Sequence, residues 1–202
     1  MTGTTYGAAF AVRWMETVAA AVEREADRLT ELDSAIGDAD HGANLRRGFA
    51  AVAETLAKEP PATPGAVLVT SGRVLISTVG GASGPLYGTL LRRAGKSLGE
   101  AGEVTRAGLA DALAAGVAAV GQLGGAVPGD KTMLDALTPA VEALRESFAA
   151  GRAAAEAGAL ATVPLRARKG RASYLGERSV GHQDRKSDVE GKRRWPRCLT
   201  DD

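Results

Sequence analysis

The chain has 202 residues, with 25 Lys and Arg against 24 Asp and Glu, a net charge of +1 and a single cysteine, Cys198. That length supports one domain with a substantial core and no internal disulfide framework or cysteine-based zinc cluster, and the lone thiol fits a reducing compartment. The balanced charge supplies no global field for nucleic acid or an anionic membrane surface.

The apolar share is 45% and the aromatic share only 4%, so the core is built from Ala, Leu and Val, which suits closely packed helices. Residues 1–7 lack the basic, apolar, small-residue order of a signal peptide, and a cytoplasmic location is expected. Glycines and a proline break each of the charge-free runs 74–91 and 112–129, so neither reads as a membrane span.

In chain order, Phe10, Trp14, Val18, Val22 and Leu29 recur at helical spacing and predict an amphipathic helix over 8–29. Leu45, Phe49, Val52 and Leu56 predict a second, stopped near Lys58 by the prolines at 60, 61 and 64. Two further patterns, 67–79 and 86–94, are joined through a glycine-rich turn, which implies antiparallel neighbours. Leu109, Leu113, Val117 and Val120 mark a fifth helix over 105–120, and Leu134, Leu137, Val141, Leu144 and Phe148 form the cleanest stripe of the chain. The Ala-rich run 150–168 reads as helix interrupted by Gly158 and Pro164. No sustained period-2 alternation and no fixed-period repeat is present, so the fold class is all-α.

Four stretches carry chemistry. The first, LDSAIGDADHGAN from Leu32 to Asn44, is expected between two helices and gathers Asp33, Asp38, Asp40, His41 and Asn44. Hard divalent cations such as Mg²⁺ take oxygen ligands from a few carboxylates plus substrate phosphates, and Gly37 and Gly42 are expected to supply the bends that aim them. Turn formation and capping of the next helix explain the same residue types, and spacing leaves both readings open. The second, Gly80-Gly81-Ala82-Ser83-Gly84, opens a helix and can serve either as a phosphate cradle or as an interhelical turn. The third, from Gly124 to Met133, fails the Walker pattern because Asp130 separates Gly129 from Lys131 and no strand precedes it. The fourth, from Ala167 to Asp184, is basic and contains His182, the only histidine besides His41.

Taken together, LDSAIGDADHGANLRRGF, GGASGPLYGT, PGDKTMLDAL and ARKGRASYLGERSVGHQD resemble, in order and approximate spacing, the dihydroxyacetone kinase L subunits, the DhaL family. The resemblance spans 6–184. It implies an antiparallel barrel of about eight helices holding Mg-ADP at one end. It further implies that Asp33, Asp38 and Asp40 bind a pair of Mg²⁺ ions, and that His41, Gly42, Ala43, Asn44, Ala82 and Ser83 contact the phosphates. Gly124 and Met133 would border the base or ribose, Arg171 would belong to a nucleotide lid, and Asp184 would close the set of cofactor contacts. The implied activity is phosphoryl transfer from a phosphotransferase-system protein, through ADP/ATP, to dihydroxyacetone on a separate K subunit. Such transfer needs positioning and charge cancellation more than a protein nucleophile. Implied partners are that K subunit, the M-type phosphodonor, a transcription regulator and a second copy in a homodimer. Alternatives are a module of an ATP-dependent kinase for another small substrate, or a non-catalytic nucleotide-binding regulator.

Two departures stand out. Ala39 occupies a place where the family has glycine, which strains the turn if a positive φ is required there. After Asp184 the family continues with Pro-Gly-Ala and a final apolar helix, whereas here Val189, Trp195, Cys198 and Leu199 are scattered among charges. The expected organisation is a nucleotide-binding domain over 1–184 and a divergent, disordered tail over 185–202, with the last helix missing or altered and the lid therefore poorly anchored.

Overall fold

The computed structural model describes residues 4–187. The expectations for 188–202, including the loss of the final helix, lie outside the described residues. Among the described residues the fold is all-α, with α1 (Ala8–Ile36), α2 (His41–Lys58), α3 (Pro64–Thr78), α4 (Ser83–Leu98), α5 (Arg106–Gly124), α6 (Leu134–Leu144) and α7 (Phe148–Ala161). A 3₁₀ segment, Arg171–Ser179, follows.

Local chemistry explains the boundaries. Thr63, Thr105 and Ser147 stand in extended backbone before α3, α5 and α7, and each hydroxyl accepts a hydrogen bond from the first-turn N–H of Ala66, Gly108 or Ala150. Pro64 opens α3, where its missing N–H costs nothing. Gly125 ends α5 in the left-handed region at φ 55°, the conformation that closes a helix when the Cβ is absent.

The stripe that predicts one helix from Leu134 to Phe148 divides in the structure. α6 stops at Leu144, and the extended Ser147 starts α7 at Phe148. Pro139 lies inside α6 and cannot donate to the Asp135 carbonyl; α7 approaches that carbonyl so closely that a Cβ at Gly158 would lie 2.2 Å from it. Gly158 thus sits within α7 and serves packing there.

A short antiparallel sheet, absent from the expectation, pairs β1 (Thr5–Gly7) with β2 (Glu103–Thr105), Tyr6 opposite Val104. The ring of Tyr6 meets those of Phe10 and Phe148, with centroids 4.6 and 5.3 Å away. This cluster fastens one end of the bundle.

Consecutive helices pack as neighbours, and glycines mark their closest crossings. A Cβ on Gly72 of α3 would stand 2.6 Å from the Gly88 carbonyl of α4, and one on Gly65, at the start of α3, 2.4 Å from the Gly99 carbonyl just past the end of α4. The two helices therefore run antiparallel. Residues of α1, α2, α4, α5, α6 and α7, among them Trp14, Phe49, Leu90, Leu113, Val141 and Phe148, surround an apolar cavity of about 190 Å³. α5 is the one helix among the described residues long and apolar enough to cross a membrane by length and composition, and it is packed against α4 and α6. The alternating helix directions gather the C-terminal ends of α1 and α3 and the N-terminal ends of α2 and α4 at one end of the bundle.

Candidate functional site

α1 runs seven residues beyond the predicted end at Leu29, to Ile36. Val22, Ala26, Leu29, Asp33 and Ile36 all lie buried, so Asp33 occupies a position of the apolar stripe in the last turn of the helix. Its side chain is fully buried, and Oδ2 accepts hydrogen bonds from the Asp40 N–H at 3.0 Å and the His41 N–H at 3.1 Å. That one carboxylate holds the turn between α1 and α2, so the stretch expected as loop is helix end, tight turn and helix start.

Asp38 and Asp40 are exposed on this turn, and one oxygen from each of Asp33, Asp38 and Asp40 lies within 4.8 Å of the others. An all-carboxylate oxygen set at that spacing fits a hard divalent cation. The glycines of the motif serve differently from expectation. Gly37 has negative φ and Gly42 is helical; both are needed for space, since a Cβ on either would lie 1.8 Å from Asp33 Oδ1 or from the Ala26 carbonyl. The bend itself falls on Ala39, at φ 61°. A left-handed alanine costs roughly 1 to 2 kcal/mol, partly offset in any glycine variant by the entropy of its unfolded chain. Ala39→Gly is therefore expected to raise stability by about 0.5 to 1 kcal/mol in urea denaturation, and an unchanged or lowered midpoint would contradict this.

The N-termini of α2 and α4 meet across the site. Neither N-cap residue, Asp40 or Ala82, caps its helix with its own side chain; the His41 N–H is taken by Asp33, which leaves those of Gly42, Ala43 and Ser83 for an anion. His41 opens α2 and Ser83 opens α4, with His41 Nδ1 3.2 Å from Ser83 Oγ. His41 is almost wholly buried, and its Nε2 has no hydrogen-bond partner among the described residues. Burial, then the charges of Lys186 and Arg185, hold its pKa down to about 3, so the ring is neutral at pH 7. Asn44 stands in the first turn of α2 with its amide beside Gly80, and its Oδ1 accepts from Arg47 Nη2 at 2.7 Å. Ala43 is exposed beside it, and Ala82 is the residue preceding α4.

The basic stretch folds back over this end. Arg171 Nη1 lies 3.1 Å from Asp38 Oδ2, and the Lys169 ammonium lies beside Gly125 at the C-terminus of α5. Gly124, the last residue of α5, is exposed and borders Leu86, whereas Met133 is buried in the main core. Asp184 is buried, which pushes its pKa up. Its Oδ2 accepts from the Ser187 N–H and hydroxyl at 2.8 and 3.0 Å, so the carboxylate closes a turn.

Three residues that sequence reasoning did not single out anchor the stretch. Lys131, 1% exposed and at φ 63°, donates from Nζ to the carbonyls of Ser179 at 2.7 Å, Leu165 at 2.9 Å and Val163 at 3.5 Å. Thr162 Oγ1 accepts from the Asp184 N–H at 2.9 Å. Arg185, placed in the tail by its sequence, is buried, with Nε 2.7 Å from Asp33 Oδ1 and Nη1 donating to the Ile36 carbonyl at 3.2 Å. Residues 185–187 thus pack into the site, and the lid expected to lack an anchor is tied down by side chains from three places. A lone lysine in the glycine-rich run 124–133 was the available signal for Lys131. Nothing local marks Arg185, whose partner is 152 positions away.

A three-carboxylate turn, paired helix N-termini and a basic flap are groups that could hold a phosphorylated ligand and a cation. The DAK2 domain pattern matches residues 35–185, and the chain belongs to that family. It is 43% identical over 183 residues to the protein named PEP-dependent dihydroxyacetone kinase, ADP-binding subunit DhaL, of Escherichia coli K12, covering 86% of this chain and 87% of that one. It is 39% identical to the D-erythrulose kinase of Mycolicibacterium smegmatis, covering 88% of this chain and 33% of that longer protein. The fold is similar to the dihydroxyacetone kinase of C. freundii solved with AMP-PNP and Mg²⁺, at TM-score 0.71 and 26% identity over 93% of this chain and 33% of that one.

Proposed function

We propose that this chain is the ADP-binding subunit of a phosphotransferase-dependent dihydroxyacetone kinase, located in the cytoplasm. Phosphoryl groups would arrive from an M-type phosphotransferase protein and leave to dihydroxyacetone held on a K subunit. The observation that carries the reading is the convergence of Asp33, Asp38 and Asp40 with the N-termini of α2 and α4. The name of the Escherichia coli relative, an ADP-binding subunit matched over most of both chains, supports it.

In this reading Asp33, Asp38 and Asp40 would hold a pair of Mg²⁺ ions, which would supply charge neutralisation at the phosphate oxygens. The N–H groups of Gly42 and Ala43 in the first turn of α2 and of Ser83 at the start of α4 would receive phosphate oxygens, with the side chains of His41 and Asn44 beside them. Neutral His41 accepts at Nδ1 from the Ser83 hydroxyl and donates from Nε2 toward the phosphates, which gives the buried orphan nitrogen its partner. Arg171 exchanges Asp38 for phosphate as the lid closes, and Gly124 and Met133 border the base or ribose. Asp184 acts at one remove, by shaping the turn under the lid. A transcription regulator and a second copy of the chain belong to the same proposal as further partners.

The match to D-erythrulose kinase favours, as a second reading, a module of an ATP-dependent kinase for another small substrate. A reconstituted assay with K subunit and phosphodonor, each omitted in turn, separates them. Dihydroxyacetone phosphate forming only with all components is the expected result. Equal turnover on ATP with no phosphodonor would favour the second reading, and retained ADP without turnover would mark a regulatory module.

A further inference from the structure

The buried pair between Asp33 and Arg185 is the feature of the site that the proposed function does not use. Oδ2 of Asp33 is engaged by two backbone N–H groups, while the buried Oδ1 accepts no hydrogen bond among the described residues and is met by the ion pair with Arg185 Nε at 2.7 Å. Space has been left for the guanidinium. A Cβ at Gly37 would come within 2.6 Å of Arg185 Nη1 as well as overlapping Asp33 Oδ1. Lys186 follows, half-buried, its carbonyl accepting from Tyr87 Oη at 2.9 Å and its ammonium close enough to feel Asp33 and Asp38. Arg171 is on Asp38. Two of the three carboxylates, Asp33 and Asp38, therefore face three cations of this chain before any metal arrives.

A divalent cation and a guanidinium drawn to the same oxygen of a buried carboxylate repel each other at short range, so each weakens the binding of the other. We propose that Arg185 is a built-in counter-ion that competes with the divalent cation for Asp33, so that metal entry requires Arg185 to withdraw. The inference rests on the reading of Asp33, Asp38 and Asp40 as metal ligands. Arg185 directly follows the flap, in a turn held to the bundle through the Asp184 N–H to Thr162 Oγ1 and through Ser187 Oγ to the Thr132 carbonyl at 2.7 Å. Its withdrawal therefore couples metal binding to loosening of the flap. In the resting protein the guanidinium stabilises an otherwise unpaired buried carboxylate.

Mn²⁺ titration followed by electron paramagnetic resonance, without nucleotide, tests this on the full chain. Arg185→Gln is expected to bind Mn²⁺ about tenfold more tightly than the unmodified protein, and Arg185→Lys, which keeps the charge, to stay near it. Equal or weaker Mn²⁺ binding by a folded Arg185→Gln variant overturns the competition while leaving the metal reading intact. Absence of Mn²⁺ binding in both proteins, even with ADP added, overturns the metal reading and the competition with it. Should Arg185→Gln not fold, Mg²⁺ titration of the unmodified protein decides, using the Arg185 Nε–H resonance assigned by its loss in Arg185→Lys. The resonance is expected to shift and exchange faster with solvent as Mg²⁺ binds. If it stays unchanged at saturating Mg²⁺, the proposal fails.

Discussion

Replacing Lys131 with methionine is expected to destabilise the protein by about 3 to 5 kcal/mol and to free residues 163–184, because it removes a buried ammonium that three carbonyls share. Methionine keeps the unbranched length, so the loss comes from the charge and not from a cavity. The carbonyls of Val163, Leu165 and Ser179 have then lost a charged donor, and each that stays buried and unsatisfied costs roughly 1 to 3 kcal/mol. A total of this size is a large part of the stability of a domain, which is about 5 to 15 kcal/mol. Urea denaturation gives the stability, and hydrogen exchange gives the location: protection should fall across 163–184 and hold in α3 and α4. Loss spread evenly over all helices would mean that Lys131 supports the whole bundle and not the flap.

Asp38→Asn and Asp40→Asn are expected to weaken ADP retention in Mg²⁺ by about ten- to a hundredfold, with little effect on helix content. Both residues are exposed on the turn, so neither change removes core packing. An amide keeps the shape but loses the charge that binds a hard cation. Asp33→Asn should behave differently. That carboxylate is buried, holds the turn through Asp40 and His41, and pairs with Arg185, so the variant should lose stability as well as affinity. A stability loss in all three variants would reduce the acidic cluster to a folding element.

Most of the helices were legible because Ala, Leu and Val recur at helical spacing and because Thr63, Thr105 and the prolines at 60, 61 and 64 punctuate them. The site motifs were legible as residue types at short spacing. What escaped the sequence depended on partners far along the chain. Asp33 looked like the start of a loop because a carboxylate interrupted an apolar stripe, yet its two N–H donors and Arg185 make burial tolerable there. The stripe from Leu134 to Phe148 kept its period across the break at Ser147, so periodicity could not reveal two helices. Tyr6 pairs with Val104 through backbone groups that leave no side-chain signature. Gly37 and Gly42 were read as hinges because glycine permits bends, whereas the crowding that requires them comes from Asp33 and Arg185 at the one and from Ala26 at the other. Ala39 is the opposite case: its strained turn was foreseen from a departure at one position and is present at φ 61°.

The central claim is that the carboxylates and the helix N-termini form one site in which a divalent cation and the phosphates of ADP bind together. Isothermal calorimetry with ADP on the unmodified protein, in Mg²⁺ and then in excess chelator, tests it most directly. Carboxylates and phosphates repel one another without a cation between them, so ADP should bind in Mg²⁺ and lose most of its affinity in chelator. Equal ADP affinity in both conditions would contradict the account.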